Sequence, residues 1–525
     1  MKVRRLCAAL CLSVALPLFI LLTSHLSARA DDSATDEVRD QIRILQDANR
    51  SLDQRLNAVE SGTKAPAFGH ESDVAPSEGS VTRVKDSRET GVPVPGFTSY
   101  AALGAEPGDF LDEEGRHIEI ADRTGDAVFR FGGFAFTQYQ AFWRAGQNYL
   151  LNDAGKQPNE YDGFRLRKVH LDLGGYFDKK YGMTVGLESN KSTAVSLGFY
   201  HAYVYAKFDR AFQLRMGKYT NPLSLEADQP SADALFAEPS LVDDLVPNKD
   251  LGIMAQGKLG QVAKYWLSVS NGEQDSESSS DHPGKPSQNG KMVTARVFFT
   301  PFKRWGSPYL KLLGLGIGGS WADQTNAREN GSSTPGENVP WASLQTSLGS
   351  NIFLSYKNGV YAAGDFTHVD PHFFWFYGPV GVIGEFVRSS QVVAYSGRSS
   401  VRLDNTAWVI QGSYVFGGGA GYEGVIPRKD FDPAHGHWGA LEVAVRVHQL
   451  SADVKSFGTG QTYSPTFTTA LATGPQIATA YGAGVNWWFN DHFKWMFDVE
   501  RTEFTGGNLV LKPEQVFIAR TVLIL

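Results

Sequence analysis

Cysteine is almost missing from this 525-residue sequence. The two present, Cys7 and Cys11, both lie within the first dozen residues. If that segment is removed on maturation, the rest can form no disulfide, use no thiolate nucleophile and hold no metal through sulfur. Beyond residue 22 there is no run of the roughly 18 apolar residues that a spanning helix needs. Positive charge is not in excess either. Lys and Arg number 49 against 56 Asp and Glu, a formal net charge of −7, so nucleic acid is not an expected partner. No HExxH, GxSxG or clustered carboxylate motif occurs, which leaves an enzymatic reading without a nucleophile, a base or a metal cluster to rest on.

What is present begins with a leader. Lys2, Arg4 and Arg5 precede an almost wholly apolar stretch from 6 to 22, and Ala28-Arg29-Ala30 has the small-x-small pattern of a cleavage site. Residues 1–30 are therefore expected to be a secretory signal peptide. Its removal would take away four positive charges and no negative one, moving the net charge from −7 to −11. The remaining chain is rich in Gly (55), Phe (33), Tyr (20) and Trp (11), yet only 42% hydrophobic. That profile suits an exported barrel whose lipid-facing and lumen-facing residues alternate.

Residues 31–60 have a different texture. Val38, Ile42, Leu45, Asn49, Leu52, Leu56 and Val59 follow spacings of 4 and 3 in turn, a heptad seam with one polar residue of the kind that fixes register and oligomer state. An α-helical coiled coil that brings chains together in the periplasm is expected here. Residues 61–120 carry Pro66, Pro76, Pro93, Pro95 and Pro107 among many Ser, Gly and charged residues, and read as a flexible linker.

From 121 to 525 the pattern changes to period two. Sixteen strands are expected, at 126–143, 164–177, 181–190, 196–208, 211–220, 250–258, 261–271, 291–301, 310–321, 362–376, 379–390, 404–416, 437–450, 477–489, 493–504 and 514–525. Connections such as Asp178-Lys179-Lys180 and Asn490-Asp491-His492 are short. Those at 144–162, 221–249, 272–290, 322–361 and 451–476 are long and polar. Short turns at one end and long loops at the other mark a transmembrane antiparallel β-barrel, and sixteen strands leave room for an aqueous lumen.

The stretch GALEVAVRVHQL (439–450) shows the two faces. Leu441, Val443, Val445 and Val447 share one, and Glu442, Arg446 and His448 the other. Across the strands the inward charges are Lys168, Arg215, Lys264, Arg296, Arg446 and Arg520 against Asp172, Glu188, Glu385, Glu442, Asp498 and Glu500. Six against six gives no selectivity from the strands alone. The cations can clamp an anion in a constriction, or pair with the acids and brace the wall. Arg165 and Arg167 near the outer mouth could draw anions in, and Lys249 is the one base in the stretch 221–249. Tyr139, Trp143, Trp408, Tyr414 and Trp495 are placed near strand ends, where aromatic girdles sit.

Several motifs carry a family resemblance. FRLRKVHLDLGG (164–175), LRMGKYTNPLSLE (214–226), PNKDLGIM (247–254), YGPVGVIGEFV (377–387), WVIQGSYVF (408–416), HWGALEVAVR (437–446) and GVNWWFNDHFKWMFDVERTEF (484–504) resemble the phosphate-selective porins O and P. The resemblance implies a trimeric sixteen-stranded outer-membrane channel. A third extracellular loop, here 221–249, would fold inward, the connection 417–436 would also lie in the lumen, and arginines and lysines would draw small anions, phosphate among them, through a constriction. It implies no cofactor and no metal. The working expectation is a passive, anion-preferring porin for small hydrophilic solutes, set in outer-membrane lipid. A general non-selective porin, and an anchor that tethers the envelope through the coiled coil, stand as alternatives.

Overall fold

The computed structural model describes residues 83–86, 117–121, 126–143, 162–189 and 198–525, apart from 273–290, 305–306, 325–342, 349–351, 357–359, 396–399, 458–471 and 508–510. The expected signal peptide and coiled coil lie outside the described residues. All sixteen expected segments are strands. In chain order they are β1 Val128–Phe142, β2 Gly163–Phe177, β3 Tyr181–Ser189, β4 Gly198–Lys207, β5 Gln213–Thr220, β6 Lys249–Leu259, β7 Ala263–Ser270, β8 Met292–Phe299, β9 Leu312–Asp323, β10 Val360–Tyr377, β11 Val380–Tyr395, β12 Val401–Phe416, β13 Ala440–Ser451, β14 Ile477–Trp488, β15 Phe493–Thr505 and β16 Glu514–Ile524. Each pairs antiparallel with the next, and β16 returns to β1 along Val516↔Phe142 to Ile524↔Phe134. Closure gives each of the sixteen strands a neighbour on both sides, so they satisfy their ladder hydrogen bonds among themselves, as a hydrocarbon surrounding requires.

β1 is longer than its β16 partner. Beyond the end of β16, its residues Val128–Gly132 pair with a short strand, His117–Ala121, which in turn pairs with Arg83–Asp86. The stretch expected as a flexible linker thus contributes two strands beside the barrel. The change of partner falls at Gly133. It has φ 151°, its carbonyl accepts the Leu525 N–H at 2.8 Å, and a Cβ there would stand 2.3 Å from the His170 carbonyl oxygen. A side chain would not fit at that crossing.

The barrel is inverted relative to a soluble core. Val445 is 60% exposed, as are its outward neighbours Leu441 and Val443 in large part, while Glu442, Arg446 and His448 are buried. Register carries the same parity across the wall. Val443 faces Val485 and Val445 faces Ala483 on the outside, with Glu442 against Asn486 on the inside. At the short-turn end, Trp487, Phe489, Phe493, Trp495 and Phe431 form a chain of ring contacts with centroids 4.6–5.9 Å apart. Tyr414 and Trp495 belong to that end as expected. Trp408 does not, because it sits half-way along β12.

The interior holds the two inward elements that the family resemblance implied. Loop 221–248 folds inward, and its Leu223, Leu241, Val242 and Leu245 pack against Val387, Ala407, Val409, Leu450, Ala478 and Ala480 of the wall. Many inward charges are therefore covered by this loop. From the short-turn end the connection 417–439 also enters, and its Ala420, Tyr422 and Val425 join Leu225 in a second apolar cluster.

The inversion sets an expectation for stability. Val445→Arg places a cation on the lipid face near mid-strand and should cost about 2–4 kcal/mol if it lies at the bilayer midplane. Leu523→Arg, one residue from the end of its strand, should cost less. Denaturant titration of folding into lipid vesicles reads the difference.

Candidate functional site

The site is built where loop 221–248 meets the wall. Its two ends are drawn together by Asn221 N–H donating to the Asn248 carbonyl at 2.6 Å. Within the loop, Glu226 accepts from Ser240 N–H at 2.9 Å and from the Ser240 hydroxyl, which ties the first half to the second. Lys249, counted with this loop in the sequence, is the first residue of β6.

The wall then grips the loop backbone from many strands. Glu385 accepts from the N–H groups of Leu225 (3.2 Å) and Glu226 (2.8 Å), and Asp498 from that of Ala237 (2.6 Å). The Leu241 N–H donates to His448 Nδ1 at 3.0 Å. Lys494 donates to the Ala234 carbonyl (3.0 Å), Asn486 to that of Leu235 (2.9 Å) and Arg446 to that of Glu238 (2.9 Å), while Arg520 donates to that of Ala237. A segment with no regular structure beyond one 3-10 turn at Asp243–Leu245, buried in a barrel, needs partners for its peptide groups. Here the inward charged and polar side chains supply them.

One loop side chain takes more than its share. Glu238 receives Arg167 in a two-pronged contact, Nε at 3.0 Å and Nη2 at 2.9 Å. Arg520 donates to the same carboxylate, and Arg165 Nη2 stands 3.6 Å from it. Burial alone would push this carboxyl up. Arg167 and Arg520, with Arg165 behind them, pull it down to about 2. Three guanidinium groups thus share one carboxylate.

Strict alternation would not allow this, because Arg165 and Arg167 fall on the opposite parity to Lys168. A β-bulge resolves it. Phe136 pairs with Lys168 but Thr137 pairs with Leu166, so Arg167 is the extra residue. Arg165, Arg167 and Lys168 can then all face inward while Phe164 and Leu166 stay outside. A second bulge lies close by. Gly186 pairs with His201 and Leu187 with Phe199, leaving Tyr200 as the inserted residue.

The expected site residues therefore fall into groups. Arg165, Arg167, Arg446 and Arg520 converge on loop residues Phe236 to Glu238, with Arg446 4.4 Å above the Phe236 ring and 2.5 Å from Glu500. Lys168 and Lys249 meet at Tyr200, with their ammonium nitrogens 5.2 and 3.9 Å from the ring centroid, and Lys168 is also 3.1 Å from Glu188. Arg296 stands apart, bound to Asp228 (3.0 Å), the Ser224 carbonyl (3.2 Å) and His372 (3.1 Å). Arg215, against the Tyr203 ring at 4.6 Å, and Lys264 lie towards the short-turn ends of β5 and β7, outside these groups. Sequence reasoning missed Glu238 as the common partner, and Tyr200, Lys494 and Asn486 as inward groups. The phase shift of apolar residues from Phe164 and Leu166 to Val169 and Leu171 was the signal that Arg165 and Arg167 turn inward.

The long-loop and short-turn elements also touch. The Tyr422 hydroxyl donates to the Leu225 carbonyl at 2.5 Å, and Gln229 Nε2 to the Tyr422 carbonyl at 2.6 Å. The inward loop is thus held from the wall and from the opposite end. This is the architecture of a narrowed channel.

Residues 138–503 match the model of the family described as phosphate-selective porin O and P. The chain belongs to this family. It is an outer-membrane porin, a channel rather than an enzyme. A search of curated protein sequences gave no match. Solved structures of similar form include an anion-selective porin from Comamonas acidovorans, at 10% identity and TM-score 0.45 over 76% of this chain and 100% of that one. The outer membrane channel DcaP of Acinetobacter baumannii matches at 10% identity and TM-score 0.44, over 77% and 99%. Salmonella typhi OmpF in complex with daunomycin matches at 11% and 0.46, over 78% and 100%. At this level of similarity the family match carries the assignment.

The Glu238 contact has a defined pH dependence. Its folded-state value lies below the ordinary 4.5 of a glutamate. Its contribution is therefore complete above about pH 4.5 and fades as pH falls towards 2. Amide exchange at Ala237 and Leu241, corrected for intrinsic rate, should be slow at pH 7 and accelerate over that window. Glu238→Gln should accelerate it at pH 7, since breaking a buried ion pair costs about 3–5 kcal/mol.

Proposed function

We propose that this porin passes small hydrophilic anions, phosphate among them, by passive diffusion, and works as a homotrimer with its N-terminal segment in the periplasm. The observation that carries the anion preference is the sharing of Glu238 by Arg165, Arg167 and Arg520, flanked by Lys168 and Lys249 around Tyr200. Guanidinium forks match oxyanion geometry, and basic groups gathered at a constriction favour an anion there. Of the loop acids, Asp228 is paired with Arg296. Trimerisation and the periplasmic placement rest on the heptad seam at 36–60 and on the even strand count, which brings both barrel ends to one side. The division into leader, coiled coil, linker and barrel at 1–30, 31–60, 61–120 and 121–525 is part of the same reading.

The test is the reversal potential of the purified protein in a planar bilayer under a KCl gradient. The expected sign is that of chloride preference, with added phosphate reducing the chloride current. Arg165→Gln with Arg167→Gln should cut the chloride-to-potassium permeability ratio severalfold without abolishing conductance. A reversal near zero, or towards potassium, would make this a general porin.

A further inference from the structure

The bulged quadrant of the wall holds a second constellation that anion passage does not use. Asp172 on β2, Gly186 on β3 and His201 on β4 lie in one register line across three strands. His170, two residues before Asp172, faces the same way. The ligand-capable atoms of His170, Asp172 and His201 all lie within 4.8 Å of one another. Asp172 Oδ2 is 2.9 Å from His170 Nε2, and Asp172 Oδ1 is 2.8 Å from His201 Nε2, the latter off the line of a hydrogen bond. Both histidines are buried, while the Asp172 side chain keeps 20% of its surface.

Two observations go beyond proximity. The first is the way His170 is held between two acids. His170 has a carboxylate at each ring nitrogen, Asp172 at Nε2 and Glu188 at Nδ1, 3.1 Å away. A neutral imidazole has a single N–H and can serve only one of them. Glu188 is itself held by Lys168 at 3.1 Å. A protonated ring would serve both carboxylates; in the neutral ring with Nδ1–H donated to Glu188, Nε2 points its lone pair towards Asp172, where a metal cation can take the place of the proton. A carboxylate that fixes the tautomer of a histidine whose other nitrogen binds metal is a common outer-shell arrangement.

The second is the space. Gly186 lies between Asp172 and His201, and a Cβ there would be 2.6 Å from His201 Nε2 and 3.0 Å from Asp172 Oδ1. The meeting of these two groups depends on the missing side chain. His170 is further fixed by stacking on Phe134, with centroids 4.8 Å apart and planes 8° from parallel.

We propose that His170, Asp172 and His201 form a binding site for a divalent transition-metal cation of the zinc type on the channel wall, oriented by Glu188 and given room by Gly186. Two imidazoles and one carboxylate, with a position left open, are a ligand set that Zn²⁺ accepts. Bonds of about 2 Å in a tetrahedral site place ligand atoms roughly 3.3 Å apart, so the observed contacts need open by only a few tenths of an ångström. No sequence motif announced the site, because its ligands come from strands 29 residues apart and are joined only by sheet register.

The test uses full-length protein in detergent, stripped with a chelator and titrated with Zn²⁺ by calorimetry and with Co²⁺ by visible absorption. One ion per chain is expected, with the ligand-field bands of bound Co²⁺. His201→Gln and Gly186→Ala should each weaken binding at least tenfold, and Glu188→Gln by about 10–100-fold, the usual effect of an outer-shell loss. Heat-modifiable gel mobility confirms that each variant is folded. His435→Gln with His437→Gln, which removes the exposed histidines of the 432–437 turn, should change nothing. Absence of binding to the folded wild type would overturn the proposal. So would binding that survives His201→Gln and Gly186→Ala, or that is lost with His435 and His437. None of these readouts depends on ion flow, so the metal site and the anion preference stand or fall separately.

Discussion

A closed barrel in hydrocarbon must send its charges inward, and inward charges must find partners. Everything else in this molecule follows from how that demand is met. Glu385 and Asp498 accept loop N–H groups. Lys494, Arg446 and Arg520 donate to loop carbonyls. Arg165, Arg167 and Arg520 share Glu238. Wall charge and loop backbone satisfy one another, so bracing and function are not alternatives. The same arginines that hold loop 221–248 in the lumen gather basic groups beside it.

Bulges decide which charges take part. Without the extra residue at Arg167, the strict parity of β2 would send Arg165 and Arg167 to the lipid face, where a guanidinium is costly. The bulge at Tyr200 likewise brings an aromatic platform and His201 to the lumen side together. These two irregularities concentrate lysines, arginines and histidines in one quadrant, between β2 and β6. A bulge here is a means of placing adjacent residues on one face, at the cost of a locally broken ladder.

The sixteen strands were legible because each carries its own evidence, an apolar face and a polar one read from neighbours two residues apart. β13 is typical, with Val443 and Val445 outside and Glu442 and Arg446 inside. The inward loop was legible only through the family resemblance. Nothing local in PLSLEADQP says that Leu223 will pack on Val387 and Ala407, which lie more than 160 residues away. Glu238 and the group at Asp172 were hidden for the same reason. Contacts across a sheet are set by register, and a one-residue slip or bulge changes which residues meet. Trp408 was misplaced because an aromatic in a barrel strand can face lipid at any depth, and its type alone does not give its height.

The account turns on loop 221–248 being the narrowest part of the channel, held there by the wall. The direct measurement is single-channel conductance of a variant in which residues 227–240 are replaced by a short glycine-serine link. That removes Glu238 and the carbonyls gripped by Arg446, Arg520, Lys494 and Asn486, and leaves the strands intact. The account expects conductance to rise severalfold. A variant that folds to a heat-modifiable barrel and conducts as the wild type does would show that the narrowing lies elsewhere, and would contradict it.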